Sequence, residues 1–162
     1  MNRVTVNADE FSLPPWSDSL RVYALRVLDS ISRDNWDLSV LLCTDKTIKS
    51  LNSRYRNIDE ATDVLSFELG AEETMPDGSI RCYPGDIVIS LDSVGKNAHY
   101  FRVSADEELR RLLIHGILHL NGMDHLSNDA SEPMLLKQEN ILYTLKEEHI
   151  LSSDDLLHGG RT

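Results

Sequence analysis

Histidine is where this sequence concentrates its chemistry. Three of the six histidines fall within the segment His115-Gly116-Ile117-Leu118-His119-Leu120-Asn121-Gly122-Met123-Asp124-His125. His115 and His119 are four apart in a stretch of helical apolar spacing, which puts both imidazoles on one face, about one turn apart. Gly122 can end that helix, because glycine takes the left-handed conformation at little cost. The chain then folds back and brings His125 alongside the other two. Three neutral imidazoles suit one Zn²⁺ per chain and leave a fourth position for water, which marks a catalytic rather than a structural site. Such an ion lowers the pKa of its water to about 7 and so makes a nucleophile at neutral pH. Nickel or another transition ion also suits an all-imidazole site. The bland alternative is three unrelated histidines on a helix and its loop. Against it stands the number of histidines in so short a segment, on a turn that lets them converge. His99, His149 and His158 have no such partners and read as surface or packing residues.

The H-x-x-x-H-x-x-G-x-x-H spacing also occurs in zinc peptidases that use H-E-x-x-H, with the glutamate as general base. Here that position is Gly116, which accepts no proton, so a peptidase-like hydrolase is the minor alternative. No carboxylate stands out as a substitute base. Asp124 either orients a histidine or shapes the turn. Asp63 and Asp86 are expected at strand starts, in capping or turn roles.

Arg56 follows a helix and precedes a loop and strand, where sequence alone favours a surface or ion-paired arginine over a functional one. A guanidinium grips phosphate with paired hydrogen bonds and keeps its charge. It can also offset negative charge that develops in phosphodiester cleavage. The surface reading pairs it with a residue such as Asp59. Lys46, Lys49, Arg54 and Arg56 form a basic cluster that could line one edge of a groove, with Arg81, Arg102, Arg110 and Arg111 as further members. Ordinary solvated charge is the competing reading. Tyr55, Phe67 and Tyr83 could stack bases or belong to the core.

These residues must be positioned by a layered unit of strands and helices. Val4 to Val6 suggests a short strand. Leu20, Ala24, Val27, Leu28 and Ile31 fall at helical spacing. Residues 36–43 read as a strand covered on both faces. A helix follows to about Tyr55, capped by Thr44 or Asp45. Residues 64–69 alternate as a half-buried strand, and 70–85 read as a long loop. Residues 86–91 form another strand, and Asp92 or Ser93 caps a helix to about Tyr100. Ser104 and Glu107 form a capping box for the helix that carries Leu109, Leu112, Leu113, Ile117 and Leu120. A last helix spans about 131–148. The expected fold is α+β: one domain over residues 1–150, with a small mixed sheet of about four strands flanked by about five helices. Residues 151–162 form a polar tail, frayed beyond Ser152.

Length and composition agree. A chain of 162 residues with 41% apolar content favours one domain. The net charge of −11 argues against coating nucleic acid by bulk attraction, though not against a local basic cleft. No run approaches the roughly 20 apolar residues of a membrane helix, and the N-terminus lacks an apolar signal core, so a cytoplasmic protein without a membrane partner is expected. Cys43 and Cys82 form no C-x-x-C pair and read as two reduced thiols.

Taken with two further segments, the histidine block resembles the YbeY family of bacterial endoribonucleases. The second segment is Leu51-Asn52-Ser53-Arg54-Tyr55-Arg56, with Asp59 and Thr62-Asp63-Val64-Leu65-Ser66-Phe67. The third is Gly85-Asp86-Ile87-Val88-Ile89-Ser90. The resemblance spans roughly residues 36 to 145 and is poor in 70–84 and at both termini. It implies a single-strand-specific metallo-endoribonuclease that matures the 3′ end of small-subunit ribosomal RNA and serves ribosome quality control. It further implies zinc at the mouth of a cleft, held by His115, His119 and His125, with Arg56 as the functional arginine. The implied partners are single-stranded rRNA and the small ribosomal subunit, with an associated assembly GTPase or ribosomal protein. Attack by water and attack by a 2′-hydroxyl both stay open. A noncatalytic, zinc-stabilised assembly factor is the competing function.

Overall fold

In the computed structural model, which describes residues 1–157, strands and helices alternate before a hairpin interrupts them. β1 (Arg3–Ala8) leads into α1 (Ser17–Ser30), β2 (Asp37–Cys43) and α2 (Asp45–Arg56). β3 (Val64–Thr74) and β4 (Ile80–Ser90) form the hairpin, followed by α3 (Leu91–Phe101), α4 (Ala105–Leu120) and α5 (Pro133–Thr144). The sheet order is β1-β2-β4-β3. β1, β2 and β4 run parallel, and β3 is antiparallel to β4. The helices supply the long crossovers that parallel neighbours require. The result is a single α+β domain on a mixed sheet.

The sheet is covered on both faces. Leu38, Val40 and Leu42 of β2 join Ile87 and Ile89 of β4 in the main core with α1 and α4. Cys43, Ile48, Leu65 and Val88 form a smaller cluster on the α2 side. This double coverage explains why β2 reads as a nearly unbroken apolar run.

α4 lies at the centre. Leu109, Leu113, Ile114, Ile117 and Leu118 are all fully buried, and a helix apolar almost all round must be an interior one. It meets the sheet at Gly116, where a Cβ would lie only 2.8 Å from Ile87 Cγ2. Any side chain there would push the helix off the sheet. At its N-terminus the Ser104 hydroxyl accepts from the Glu107 amide at 3.0 Å. Glu107 itself pairs with Arg111 at 3.1 Å.

The expected loop at 70–85 is instead the body of the hairpin, with β3 running to Thr74 and β4 starting at Ile80. Asp86 therefore sits inside β4 rather than at its start. From Glu68 to Thr74 every residue of β3 is exposed. An arm that buries neither face has no reason to alternate, so its sequence carries no strand signature. Gly85 lets β4 approach β3 closely where it pairs with Glu68, since a Cβ there would meet the Phe67 carbonyl oxygen at 1.9 Å.

Two helix starts also differ from expectation. Thr44 makes no side-chain cap, and Asp92 accepts from the Asp45 amide at 2.9 Å instead. Ser90, rather than Asp92 or Ser93, caps α3. The last helix is shorter than expected, Pro133–Thr144. The segment after it is anchored: Ile150 and Leu151 are buried, and Trp16 Nε1 donates to the Leu156 carbonyl at 2.8 Å. His158 and the rest of 158–162 lie outside the described residues.

Candidate metal centre and cleft

His115 and His119 project from the last turns of α4. Gly122, at φ +88°, turns the chain, and the Met123 amide closes onto the Leu118 carbonyl at 3.0 Å. The fold-back brings His125 to the pair, with the three ligand atoms within 4.8 Å of one another. The Nε2 atoms of His115 and His119 are 3.1 Å apart.

The outward nitrogens define the chemistry of the inward ones. His115 Nδ1 meets Gln138 Oε1 at 2.6 Å, His119 Nδ1 meets the Met123 carbonyl at 3.1 Å, and His125 Nδ1 meets the Ser127 carbonyl at 2.8 Å. Carbonyl oxygens only accept, so each Nδ1 must carry the proton, and each Nε2 is left as a lone pair. Two facing lone pairs repel unless a cation lies between them. Tetrahedral bonds of about 2.0–2.1 Å would hold nitrogens roughly 3.4 Å apart, close to what is found. Burial lowers the pKa of His115, and burial followed by its neighbour His115 lowers that of His119. Both favour the neutral, ligating form. The donor set therefore fits a transition-metal dication.

Among the described residues no carboxylate or thiol joins this cluster. Asp124 Oδ1 accepts from the His125 amide at 2.8 Å and lies 4.0 Å from His119 Nδ1. It shapes the turn. Position 116 faces Ile87 in the sheet, so the peptidase pattern has neither a base nor room for one there.

His115 and His119 wall a cleft of about 610 Å³ whose lining also includes Arg56, Ser66 and Phe67. Arg56 comes from the end of α2, far from the histidines in sequence. Its Nη2 donates to the Ser66 carbonyl at 2.7 Å, and its guanidinium carbon lies 5.7 Å from the Phe67 ring centre. These contacts hold the exposed arginine towards the cleft, and among the described residues it has no carboxylate partner, Asp59 included. Tyr55 is exposed and packs edge-on against Phe67 at 5.5 Å.

The rest of the basic cluster separates from this cleft. Lys46, Lys49 and Arg54 line a different groove of about 450 Å³, and Lys46 faces Glu10 at 4.0 Å. Arg81 is buried and donates to the Met1 carbonyl at 3.1 Å. Arg110 pairs with Asp106 at 2.8 Å, and Arg111 is held by Glu107, Glu108 and Glu139. Burial and ion pairing thus remove Arg81, Arg110 and Arg111 from any basic groove. Tyr83 donates to Glu73 at 3.1 Å on the exposed arm.

Gln138 is the site residue that sequence reasoning missed. It is 7% exposed on the inner face of α5, between Met134 and Ile141. A polar residue at the buried spacing of an apolar stripe was the available signal.

Residues 9–146 match the family model described as Endoribonuclease YbeY. A Treponema pallidum protein of that name is 48% identical over 142 residues, covering 88% of this chain and 89% of its own. One from Treponema denticola is 50% identical, covering 85% and 90%. One from Borreliella burgdorferi is 43% identical, covering 74% and 81%. A solution structure of a Thermotoga maritima protein matches with a TM-score of 0.60 at 26% identity, covering 98% of this chain and 99% of its own.

Proposed function

The chain belongs to the YbeY endoribonuclease family, and from that premise we propose that it is a zinc-dependent endoribonuclease that cuts single-stranded RNA. Its place is late 3′-end maturation of small-subunit ribosomal RNA and ribosome quality control in the cytoplasm. One observation carries the reading: His115 and His119 of the three-imidazole cluster wall the same cleft that Arg56 lines.

In this mechanism His115, His119 and His125 would hold the ion. When bound, the ion supplies Lewis-acid charge and acidifies water. The Gln138, Met123 and Ser127 oxygens keep each imidazole in its ligating tautomer and orientation. Arg56 has one N–H anchored on Ser66, which leaves further donors of its fork for a phosphate. It fixes the phosphodiester and offsets the charge of the transition state. Unstacked bases of a single strand leave the phosphate and base edges open to such a cleft, which a paired A-form helix does not.

The net charge of −11 leaves little general attraction for phosphate. Recognition then falls to the cleft and to the small ribosomal subunit, with an assembly GTPase or ribosomal protein as docking partner. Among the described residues no helix is long and apolar enough to cross a membrane.

The test is cleavage of single-stranded RNA by zinc-loaded protein, His115→Ala and Arg56→Ala. Each variant should lose activity by about 100-fold or more. Equal cleavage by wild type and His115→Ala rejects metal catalysis here. If chelation unfolds the chain while Arg56→Ala still supports rRNA processing, the ion is a structural clamp in an assembly factor.

A further inference from the structure

A second cleft of about 750 Å³ opens on the other side of His115. His115 and Val64 line both clefts, and His125 and Gln138 line the second. The metal centre is therefore a saddle between two depressions, and only the first contains Arg56.

The second depression differs in chemistry. Asp63, Glu108 and Glu139 line it, against Arg111 as the one cation of the lining. Arg111 is already engaged by carboxylates. A phosphate is repelled from such a surface, whereas a neutral ring with amino donors is not. The rim, at the end of α3, is aromatic. Phe101 lines the cleft at 60% exposure, and Tyr100 beside it is 80% exposed, the rings edge-to-face at 5.0 Å. Aromatics this exposed keep a π-face open to solvent beyond their contact with each other. Arg102 follows at φ +57°, exposed, and pairs with no carboxylate among the described residues.

We propose that this cleft is a nucleobase subsite. The base on the far side of the scissile phosphate from Arg56 stacks on Phe101, and Arg102 receives the next phosphate outside the acidic floor. The strand thus runs from Arg56 across the metal centre to Phe101. The inference rests on the reading of this chain as an RNA-cleaving enzyme, and it adds the residues that grip the second nucleotide. Stacking tolerates any base, because each has a π-face, so the subsite selects single strands rather than a sequence.

The experiment uses metal-loaded protein and a short single-stranded RNA, with and without an abasic nucleotide next to the cut on the Phe101 side. Phe101→Ala and Phe101→Leu should each weaken Kd by anisotropy, and raise KM, by about 5- to 100-fold, with kcat little changed. Phe101→Trp should restore both. The abasic RNA should cost wild type a similar factor and cost Phe101→Ala almost nothing more. Equal Kd for wild type and Phe101→Ala, or full independent losses from abasic site and variant, overturns the subsite. The first result would leave the aromatic rim for a protein partner. RNA that is bound through Phe101 but never cut would sink the nuclease reading while sparing the subsite. Phe101 is exposed, so truncating it does not threaten the fold, and unchanged thermal melting checks this.

Discussion

Replacing Gln138 by leucine removes the acceptor of the buried His115 Nδ1–H while keeping an apolar side chain of similar size on α5. The bond is short, 2.6 Å, and Gln138 is 7% exposed, so water does not easily take its place. Leaving a buried donor unpaired costs about 1–3 kcal/mol. His115 can escape that cost by rotating or by moving its proton to Nε2, and either change spoils a metal ligand. Losing a partner of this kind lowers metal affinity by roughly 10–100-fold, about 1.4–2.7 kcal/mol, so the two magnitudes agree. The assay is zinc competition against a chromophoric chelator at pH 7.5, with circular dichroism to verify folding. Gln138→Leu should bind zinc about 10–100-fold more weakly. Gln138→Glu, whose carboxylate makes the imidazole a stronger donor to the ion, should bind at least as tightly as wild type. A Gln138→Leu affinity within about twofold of wild type would refute the idea that this bond fixes the ligand.

Gly116→Ala should destabilise the fold by about 1–3 kcal/mol in urea melts, because the new methyl meets Ile87 Cγ2 at 2.8 Å. Much of that cost should vanish in an Ile87→Ala background, and purely additive losses would contradict the close contact. Burial raises the Asp106 carboxyl, but hydrogen bonds from His149 and from the Leu151 and Ile150 amides, with the charge of Arg110, outweigh it and hold it below its ordinary range. A depressed folded pKa gives stability that is present above the unfolded value, about 3.9, and lost as pH falls through the folded one. Asp106→Asn should therefore cost about 3 kcal/mol at pH 7, and the gap from wild type should narrow below about pH 4; a gap that stays constant to pH 2 refutes the assignment. Burial, and then the negative field of Asp9, push the Cys43 thiol up to about 12. Iodoacetamide at pH 8 should label native protein at Cys82 alone and both cysteines in urea, as mass spectrometry would show; native labelling of Cys43 at a similar rate would contradict its burial.

Much of this protein is dictated locally. A helix places residues four apart on one face whatever surrounds it, so spacing alone makes His115 and His119 a pair, and Gly122 marks the turn to His125. The apolar run of β2 announces a strand covered on both faces, and Ser104 announces the start of α4. These features depend on neighbours within a few residues, and short-range sterics and hydrogen bonding decide them. The exposed arm of β3 leaves no such trace, because its pairing uses backbone groups common to every residue. The tertiary structure alone decides which charges stay free. Arg56 and Arg111 are the same residue type, yet one faces the histidine cleft and the other is held by three carboxylates. Only folding brings α2 to the end of α4, sets Gln138 of α5 behind His115 and leaves Phe101 at the rim of a second cleft. Those separations span tens of residues, and they are set by how helices pack on the sheet rather than by any local preference of the chain.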